Sequence, residues 1–160
     1  MEKKLLDDIE VYRKFVFSES AICTTYETLM RFVSRLRSDL LKKNNQYRVG
    51  YLSPGYMDYT YFSFYDTHLR SKQLRFGIVL NHHQLQFELW VMAQNAEQQQ
   101  IYWEKLKDLE WNQEKEAMPR YTVLDTVIEA TPDFSDLDQL SDTILTKALA
   151  EAKRIYPFLG

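Results

Sequence analysis

The clearest candidate for chemistry is Glu88, a carboxylate within the apolar segment QFELWVM at residues 86–92. A carboxylate among large apolar side chains either serves as an acid–base or ligand-binding group or is neutralised by a nearby cation. Arg75 is the cation that the expected strand pairing brings closest. We therefore expect a structural ion pair between Glu88 and Arg75, with a functional carboxylate as the alternative.

Two strands are expected to present these residues, at 73–80 and 85–92, joined across the polar turn NHHQ at 81–84. Successive strand residues point to opposite faces, so the pairing can be followed residue by residue. One face is apolar on both strands and pairs Leu80 with Leu85, Ile78 with Phe87 and Phe76 with Leu89. That agreement predicts a face that packs into the core.

The opposite face of this hairpin carries polar residues. The same register places Val79 opposite Gln86, Gly77 opposite Glu88 and Arg75 opposite Trp90. Because glycine has no side chain, we expect a hollow beside the Glu88 carboxylate. Arg75 lies diagonal to Glu88, so it can pair with that carboxylate or stack on the Trp90 ring.

The preceding strand, at 57–65, adds aromatic residues to the polar face. It alternates Phe62 and Phe64 on one side with Tyr59 and Tyr61 on the other. If the phenylalanines join the core, the tyrosines join the face of Arg75. Tyrosine suits such a face because it buries a ring and keeps a polar tip. The pattern leaves open whether helices cover this face or whether it is open to a ligand.

The element order resembles the α-β-β-β-α-β core of the restriction-endonuclease-like nucleases. Those enzymes hold a divalent metal with an acid on the second core strand and an acid-x-Lys motif on the third. Here Trp90 stands in the lysine position of Glu88-Leu89-Trp90, the strand LRFGIVL has no acid, and Asp58 and Asp66 flank the strand before it. The resemblance therefore implies at most a degenerate or unusual metal-dependent nuclease fold, which is the alternative function.

Other reactive side chains have simpler explanations. His82 and His83 are adjacent in a turn, their side chains point apart, and no ligand cluster completes a metal site, so we expect both to lie in a solvated turn. Cys23 lies near a helix start without a histidine placed beside it. There is no Gly-rich phosphate loop and no hydrolase or metalloprotease motif. We expect no catalytic residue, no metal site and no cofactor, and the protein is expected not to be an enzyme.

Several cations lie along the helix expected at 21–43: Arg31, Arg35, Arg37, Lys42 and Lys43. Such a row can bind nucleic acid, but cations late in a helix also complement its dipole. The chain has a net charge of −3 and a pI of about 5.6. A solvated helix face is therefore favoured, and nucleic acid is disfavoured as a partner.

Periodicity and turn signals place these residues on nine elements. Helices are expected at 2–17, 21–43, 95–109 and 136–156, and strands at 46–52, 57–65, 73–80, 85–92 and 120–129. The order is ααββββαβα, and the helix after the fourth strand is long enough for a right-handed parallel crossover. The predicted fold is α+β (mixed α/β): a five-stranded, mostly antiparallel mixed sheet with one parallel crossover and helices packed on it.

Composition limits the class of protein further. The chain has 160 residues, 45% of them hydrophobic and 27% charged, which suits one domain spanning 1–160 with a sizeable core. No segment is apolar for long enough to cross a membrane, and the charged amino terminus differs from a signal peptide. A single cysteine excludes an internal disulfide, so the reducing cytoplasm is the expected location. Neither the oligomeric state nor the biological process follows from these features.

Several short stretches together resemble an uncharacterised family of small bacterial proteins of about this length. The stretches are Gly55-Tyr56-Met57-Asp58, Thr60-Tyr61-Phe62-Ser63-Phe64, Glu88-Leu89-Trp90, Asn95, Tyr102-Trp103 and Pro132-Asp133-Phe134. The resemblance covers nearly everything from residue 10 onward and implies a bacterial, cytoplasmic, single-domain protein without a known activity.

The strand pattern and this resemblance point to overlapping residues. The candidate binding residues are Tyr56, Asp58, Tyr59, Tyr61, Arg75, Glu88, Trp90 and Asn95. We expect a ligand-binding or protein-interaction domain that uses the polar and aromatic face of its sheet, with a small molecule or a protein as its partner.

Overall fold

The computed structural model describes all residues from 1 to 160. The chain divides into two compact units, Met1–Phe32 and Val33–Gly160, and each is described by itself. The expectation of one domain across the whole chain stays a prediction.

The first unit contains helix α1 (Glu2–Phe15) and the beginning of helix α2 (Ala21–Lys43). Ser20 Oγ accepts a hydrogen bond from the Cys23 backbone N–H at 3.1 Å, so Ser20 caps α2. Helix α1 has no buried residue. Its apolar residues, among them Leu5, Ile9 and Tyr12, are exposed.

The second unit begins within α2 and contains the sheet. Its further elements are β1 (Arg48–Val49), β2 (Tyr59–Tyr65), α3 (Thr67–Ser71), β3 (Leu74–Asn81), β4 (Gln86–Ala93), α4 (Ala96–Leu106), β5 (Leu124–Glu129), α5 (Leu137–Ile155) and a 3-10 helix (Tyr156–Leu159). The α+β class is confirmed, and α3 is a helix that the sequence did not reveal. None of the helices combines the length and the apolar character needed to cross a membrane.

The five strands follow one another across the sheet in the order β1-β2-β3-β4-β5, and every neighbouring pair is antiparallel. The predicted parallel crossover is therefore wrong. Asn112 explains the difference, because its buried Nδ2 donates to Leu106 O at the end of α4 and to Val123 O before β5. The segment after α4 is thus tied back to the end of β4, where β5 starts opposite Val91.

The predicted hairpin is present, but its register differs from the prediction by two residues. Leu80 pairs with Phe87 and Asn81 with Gln86, so the loop is 82–85. The side chain of Asn81 causes this shift, since Oδ1 accepts the backbone N–H groups of His83 and Gln84, both at 3.1 Å, and so starts the turn after Asn81. Leu85 has a φ of 50° and is exposed, so it lies in the turn rather than in the core.

A shift of two residues keeps every side chain on its predicted face. Phe62, Phe64, Phe76 and Leu89 are fully buried on the core face. Helix α5 packs against β4 and β5 and adds its own buried residues, Leu140, Ile144, Leu145, Ala148, Ala152 and Ile155. The opposite face, which carries Tyr59, Tyr61, Arg75, Glu88 and Trp90, holds a smaller apolar cluster of Val79, Trp90 and Met92.

Candidate functional site

The polar face of the sheet contains a cleft of about 310 Å³, which we call the aromatic cleft. Strands β2, β3 and β4 form its floor, and two loops, at 53–58 and at 121, form its rim. All of its lining residues come from strands and loops, and none comes from a helix. The lining includes Tyr56, Asp58, Tyr59, Tyr61, Arg75 and Trp90, which are candidate residues from the sequence, together with Ser53, Met92 and Tyr121.

Trp90 is the centre of the aromatic cleft. Tyr59 meets its ring edge-on with ring centroids 4.8 Å apart, and Tyr121 lies parallel to it at 6.2 Å and 12°. Tyr61 contributes a third ring at 6.3 Å. These contacts leave Trp90 only 5% exposed. Burial and the nearby Glu88 carboxylate raise the pKa of the Tyr59 hydroxyl, which keeps it a neutral hydrogen-bond donor.

Glu88 fixes the orientation of Trp90. Trp90 Nε1 donates to Glu88 Oε2 at 2.7 Å, while Asn81 Nδ2 and Gln86 Nε2 donate to Glu88 Oε1 at 2.9 and 2.7 Å. Glu88 is 8% exposed. Its oxygens are therefore satisfied by neutral donors, and the expected ion pair with Arg75 is wrong. In the observed register Arg75 pairs with Met92, four residues beyond Glu88 along β4, which is too far for a diagonal contact.

The expected hollow beside Glu88 is also absent. Gly77 pairs with Trp90, not with Glu88. A Cβ added at Gly77 would lie 2.6 Å from Met92 Cε, so the methionine side chain occupies the space that glycine leaves. Gly77 therefore gives Met92 room to cover the sheet.

Arg75 remains without an acidic partner. No carboxylate lies within 4.0 Å of its guanidinium, and its Nε is buried without a hydrogen-bond partner. Buried donors in folded proteins are nearly always paired, so an orphaned guanidinium nitrogen needs an explanation. Arg75 lines the aromatic cleft and also a second cleft on the other side of its side chain.

The rim of the aromatic cleft is held by a turn at residues 53–58. Asp58 Oδ1 accepts the backbone N–H groups of Tyr56 and Tyr59 at 2.8 and 2.7 Å, and these bonds lower the pKa of Asp58. Gly55 has a φ of 73°, and a Cβ there would meet Tyr59 O at 2.2 Å, so only glycine fits. Asp58 is thus a turn-forming residue, and Tyr56 is 95% exposed at the rim.

His82 supports the same rim from the neighbouring hairpin turn. Its Nε2 lies 2.8 Å from Thr60 Oγ1, which in turn donates to Pro54 O at 2.7 Å. The backbone N–H of His82 donates to the backbone O of Asp58 at 2.8 Å. The solvated turn expected for both histidines is therefore wrong for His82, which is partly buried, while His83 is exposed.

Asn95 lies outside the cleft and has a different role. Its Oδ1 accepts the Gln98 backbone N–H at 2.9 Å and caps α4. Asp66 is a cap as well, because Oδ1 accepts from the Leu69 N–H at 2.8 Å and Oδ2 accepts from the Tyr156 hydroxyl at 2.6 Å.

The metal-dependent nuclease alternative is not favoured. The resemblance depended on element order, and β5 runs antiparallel to β4. The Glu88 and Asp66 carboxylates are occupied by protein donors, and no group of three or more metal-ligating side chains comes together. Nothing in this arrangement provides the ligand set of a divalent cation.

The cations of α2 within the second unit are largely paired with acids. Arg35 forms ion pairs with Asp39 and Asp138, and Lys43 forms one with Asp142. Arg37 donates to Gly50 O at 2.6 Å. This surface is therefore close to neutral, as expected for a solvated helix face rather than for a nucleic-acid site.

Tyr121 and Met92 are the large side chains of the cleft that the sequence did not indicate. Tyr121 precedes β5, and its stacking on Trp90 depends on the antiparallel entry of that strand. Met92 belongs to the apolar end of β4, and the incorrect register placed Trp90, not Met92, opposite Arg75.

Comparisons with known proteins agree with the resemblance drawn from the sequence. The chain belongs to the family of the domain of unknown function DUF7000, whose model matches residues 5–159. Neither the curated proteins nor the solved structures contain a match.

Proposed function

We propose that this member of a family without an assigned activity is a binding domain for a small molecule, and that the ligand lies in the aromatic cleft. The observation that carries the proposal is the convergence of four rings, from Tyr59, Tyr61, Trp90 and Tyr121, on one concave site of the open sheet face. Concave sites with aromatic walls and a few polar groups are the usual binding sites of small molecules.

The size and chemistry of the cleft favour a compact ligand with a ring. Its volume of about 310 Å³ lies at the lower end of the range of roughly 300–1,000 Å³ for ligand sites. The hydroxyls of Tyr59 and Tyr61 and the guanidinium of Arg75 supply donors at its edges. The cleft offers ring contacts and hydrogen bonds rather than a nucleophile paired with a base, so binding rather than catalysis is proposed.

The cellular setting is part of the proposal. The single cysteine, Cys23, is unpaired, which supports a reducing compartment. Together with the resemblance drawn from the sequence, this supports a bacterial cytoplasmic protein that functions as one domain.

The test is a screen of small ring compounds by ligand-observed NMR on three proteins. The first is wild type, the second carries Tyr56→Ala and Tyr121→Ala at the rim, and the third carries Tyr51→Ala. Tyr51 is 91% exposed and does not line the cleft, which makes it a matched control. Tyr51 and Tyr56 are 91% and 95% exposed, so their removal should change stability little. Tyr121 packs on Trp90, so urea denaturation of the double variant checks that it is folded before binding is compared.

The proposal expects compounds that bind wild type and Tyr51→Ala at millimolar concentration and bind the rim double variant several-fold more weakly. It is contradicted if no ring compound binds wild type, or if all hits bind the double variant equally well. Equal binding to the double variant would mean that the compounds bind outside the aromatic cleft. A protein-interaction role for another face of the domain would then be favoured.

A further inference from the structure

We propose that the ligand of the aromatic cleft is a planar ring that carries an anionic group, and that Arg75 and Arg70 bind the anion in the adjoining cleft. This inference rests on the proposed function and names the class of ligand. The shared chemistry is a phosphate or carboxylate attached to a ring. The ring lies against Trp90 and the tyrosines, and the anion lies on the far side of the Arg75 side chain.

The adjoining cleft, which we call the basic cleft, has a volume of about 340 Å³. Its only charged lining residues are Arg70, on α3, and Arg75, on β3, and it has no acidic lining residue. Ser63, Gln73 and Gln94 add neutral polar groups. A cleft with two arginines and no acid has a local positive charge that suits an anion, although the net charge of the chain is −3.

The two arginines of the basic cleft are available to a ligand. Neither forms an ion pair, whereas Arg13, Arg31, Arg35 and Arg154 all do. Arg75 also has the buried, unpartnered Nε. A planar guanidinium presents its donors in a fork that matches the oxygens of a phosphate or carboxylate, so the unpaired Arg75 suits an anion in this cleft.

The floor of the basic cleft lets a ligand come close to the sheet. Gly50 donates its backbone N–H to Ser63 O at 2.8 Å, and Ser63 pairs with Gly77 on β3. A Cβ at Gly50 would lie 2.5 Å from Ser63 Oγ, so a larger residue there would push the Ser63 side chain aside. Gly50 and Ser63 are the small lining residues of the basic cleft.

Arg75 joins the two clefts, because it is a lining residue of both. A guanidinium at such a junction contacts a ring by its flat face and an anion by its edge. A ligand with both parts would therefore contact the face and the edge of the Arg75 guanidinium at once. A ring alone or an anion alone would make only one of these contacts. The expected signature is that the joined molecule binds more tightly than either part.

The test measures dissociation constants by NMR titration for four probes: phenol, inorganic phosphate, phenyl phosphate and benzoate. Wild type is compared with Arg75→Gln and Arg70→Gln. Arg48→Gln is the matched control, since Arg48 is exposed on the edge strand β1 and lines neither cleft. Arg70 is also exposed, so Arg70→Gln tests the inference even if Arg75→Gln does not fold.

We expect phenyl phosphate or benzoate to bind wild type on the order of tenfold more tightly than phenol or inorganic phosphate. The gain in affinity comes from charge-assisted hydrogen bonds between the anion and the arginines. The tighter of the two identifies the anion. The gain should disappear in Arg75→Gln, shrink in Arg70→Gln and persist in Arg48→Gln, while phenol binding persists in all. If phenol binds but the anionic probes bind no better, this inference is overturned and the proposed function stands. If no ring probe binds, both are overturned.

Discussion

Trp90 Nε1 donates a hydrogen bond of 2.7 Å to Glu88 Oε2, two residues earlier on the same face of β4. This bond joins a buried carboxylate to the ring at the centre of the aromatic cleft. The other Glu88 oxygen is held by Asn81 and Gln86, so the carboxylate links the hairpin turn to the cleft. Glu88 is thus a positioning residue that fixes the orientation of the Trp90 ring.

Replacing Glu88 by glutamine is expected to lower the free energy of unfolding by about 1–3 kcal/mol, because a carboxylate that accepts three hydrogen bonds becomes an amide that accepts fewer. Urea denaturation measures the loss. Glu104→Gln is the control, since Glu104 forms an exposed ion pair with Lys107 and should cost less than about 1 kcal/mol. Equal stability of Glu88→Gln and wild type would show that the three bonds contribute nothing.

His82 is expected to make stability depend on pH in mildly acidic solution. Burial lowers the pKa of His82 below its usual value of 6.5, so the unfolded chain binds a proton more readily than the folded protein. The contribution to stability is complete above pH 6.5 and is lost as the pH falls below it. In His82→Gln the unfolding free energy should fall less steeply between pH 7 and 5 than in wild type.

His83→Gln is the matched control for that experiment, because His83 is the exposed neighbour in the same turn. Its pH profile should follow that of wild type. If the unfolding free energy of His82→Gln fell with pH as steeply as that of wild type and His83→Gln, the partly buried His82 ring would not cause the pH dependence.

Tyr156 provides a second pH dependence, in alkaline solution. The hydrogen bond to Asp66 raises the pKa of Tyr156 to about 12, from a usual value of 10.0. The protonated hydroxyl stabilises the fold fully below pH 10, and this contribution is lost as the pH rises through 12. Tyr156→Phe should therefore be less stable than wild type at pH 8, by about 1–3 kcal/mol.

The difference between Tyr156→Phe and wild type should narrow as the pH approaches 12, as followed by urea denaturation at each pH. Tyr51→Phe, at an exposed tyrosine, should show no such change. A constant difference for Tyr156→Phe would mean that the hydroxyl does not donate to Asp66.

Gly77 and Met92 are expected to be energetically coupled. A Cβ at Gly77 would lie 2.6 Å from Met92 Cε, so Gly77→Ala forces the flexible end of the methionine to move and should gain less than the ~0.5–1 kcal/mol that alanine usually gains over glycine within a strand. In a Met92→Ala background the same change should be more favourable, because the space is free. Additive effects in this double-mutant cycle would contradict the observed packing.

The sequence predicted the faces of the sheet better than its register. Alternation assigns a face from residue type alone, so Tyr59, Tyr61, Arg75 and Trp90 were placed on one side correctly. Register depends on where the turn begins, and here the side chain of Asn81 moved that point by one residue. The incorrect register placed Arg75 diagonal to Glu88 and so predicted an ion pair that does not form.

The connection before β5 was beyond prediction for a different reason. A segment of that length can return the next strand in either direction, and the buried bonds of Asn112 decide which. Such long-range contacts leave no local pattern. The same limit hid Tyr121, whose ring lies against Trp90 only when β5 is antiparallel.

The aromatic cleft is tested most directly through the three tryptophan indole N–H resonances in a proton–nitrogen correlation spectrum. Trp90 lines the cleft, while Trp103 is a buried residue of α4 and Trp111 donates to Glu151, so the latter two are internal controls. On titration with phenyl phosphate and phenol, we expect the Trp90 signal to move with saturation while the other two stay in place. A Trp90 signal that does not move at millimolar concentrations of either compound would contradict binding at this cleft.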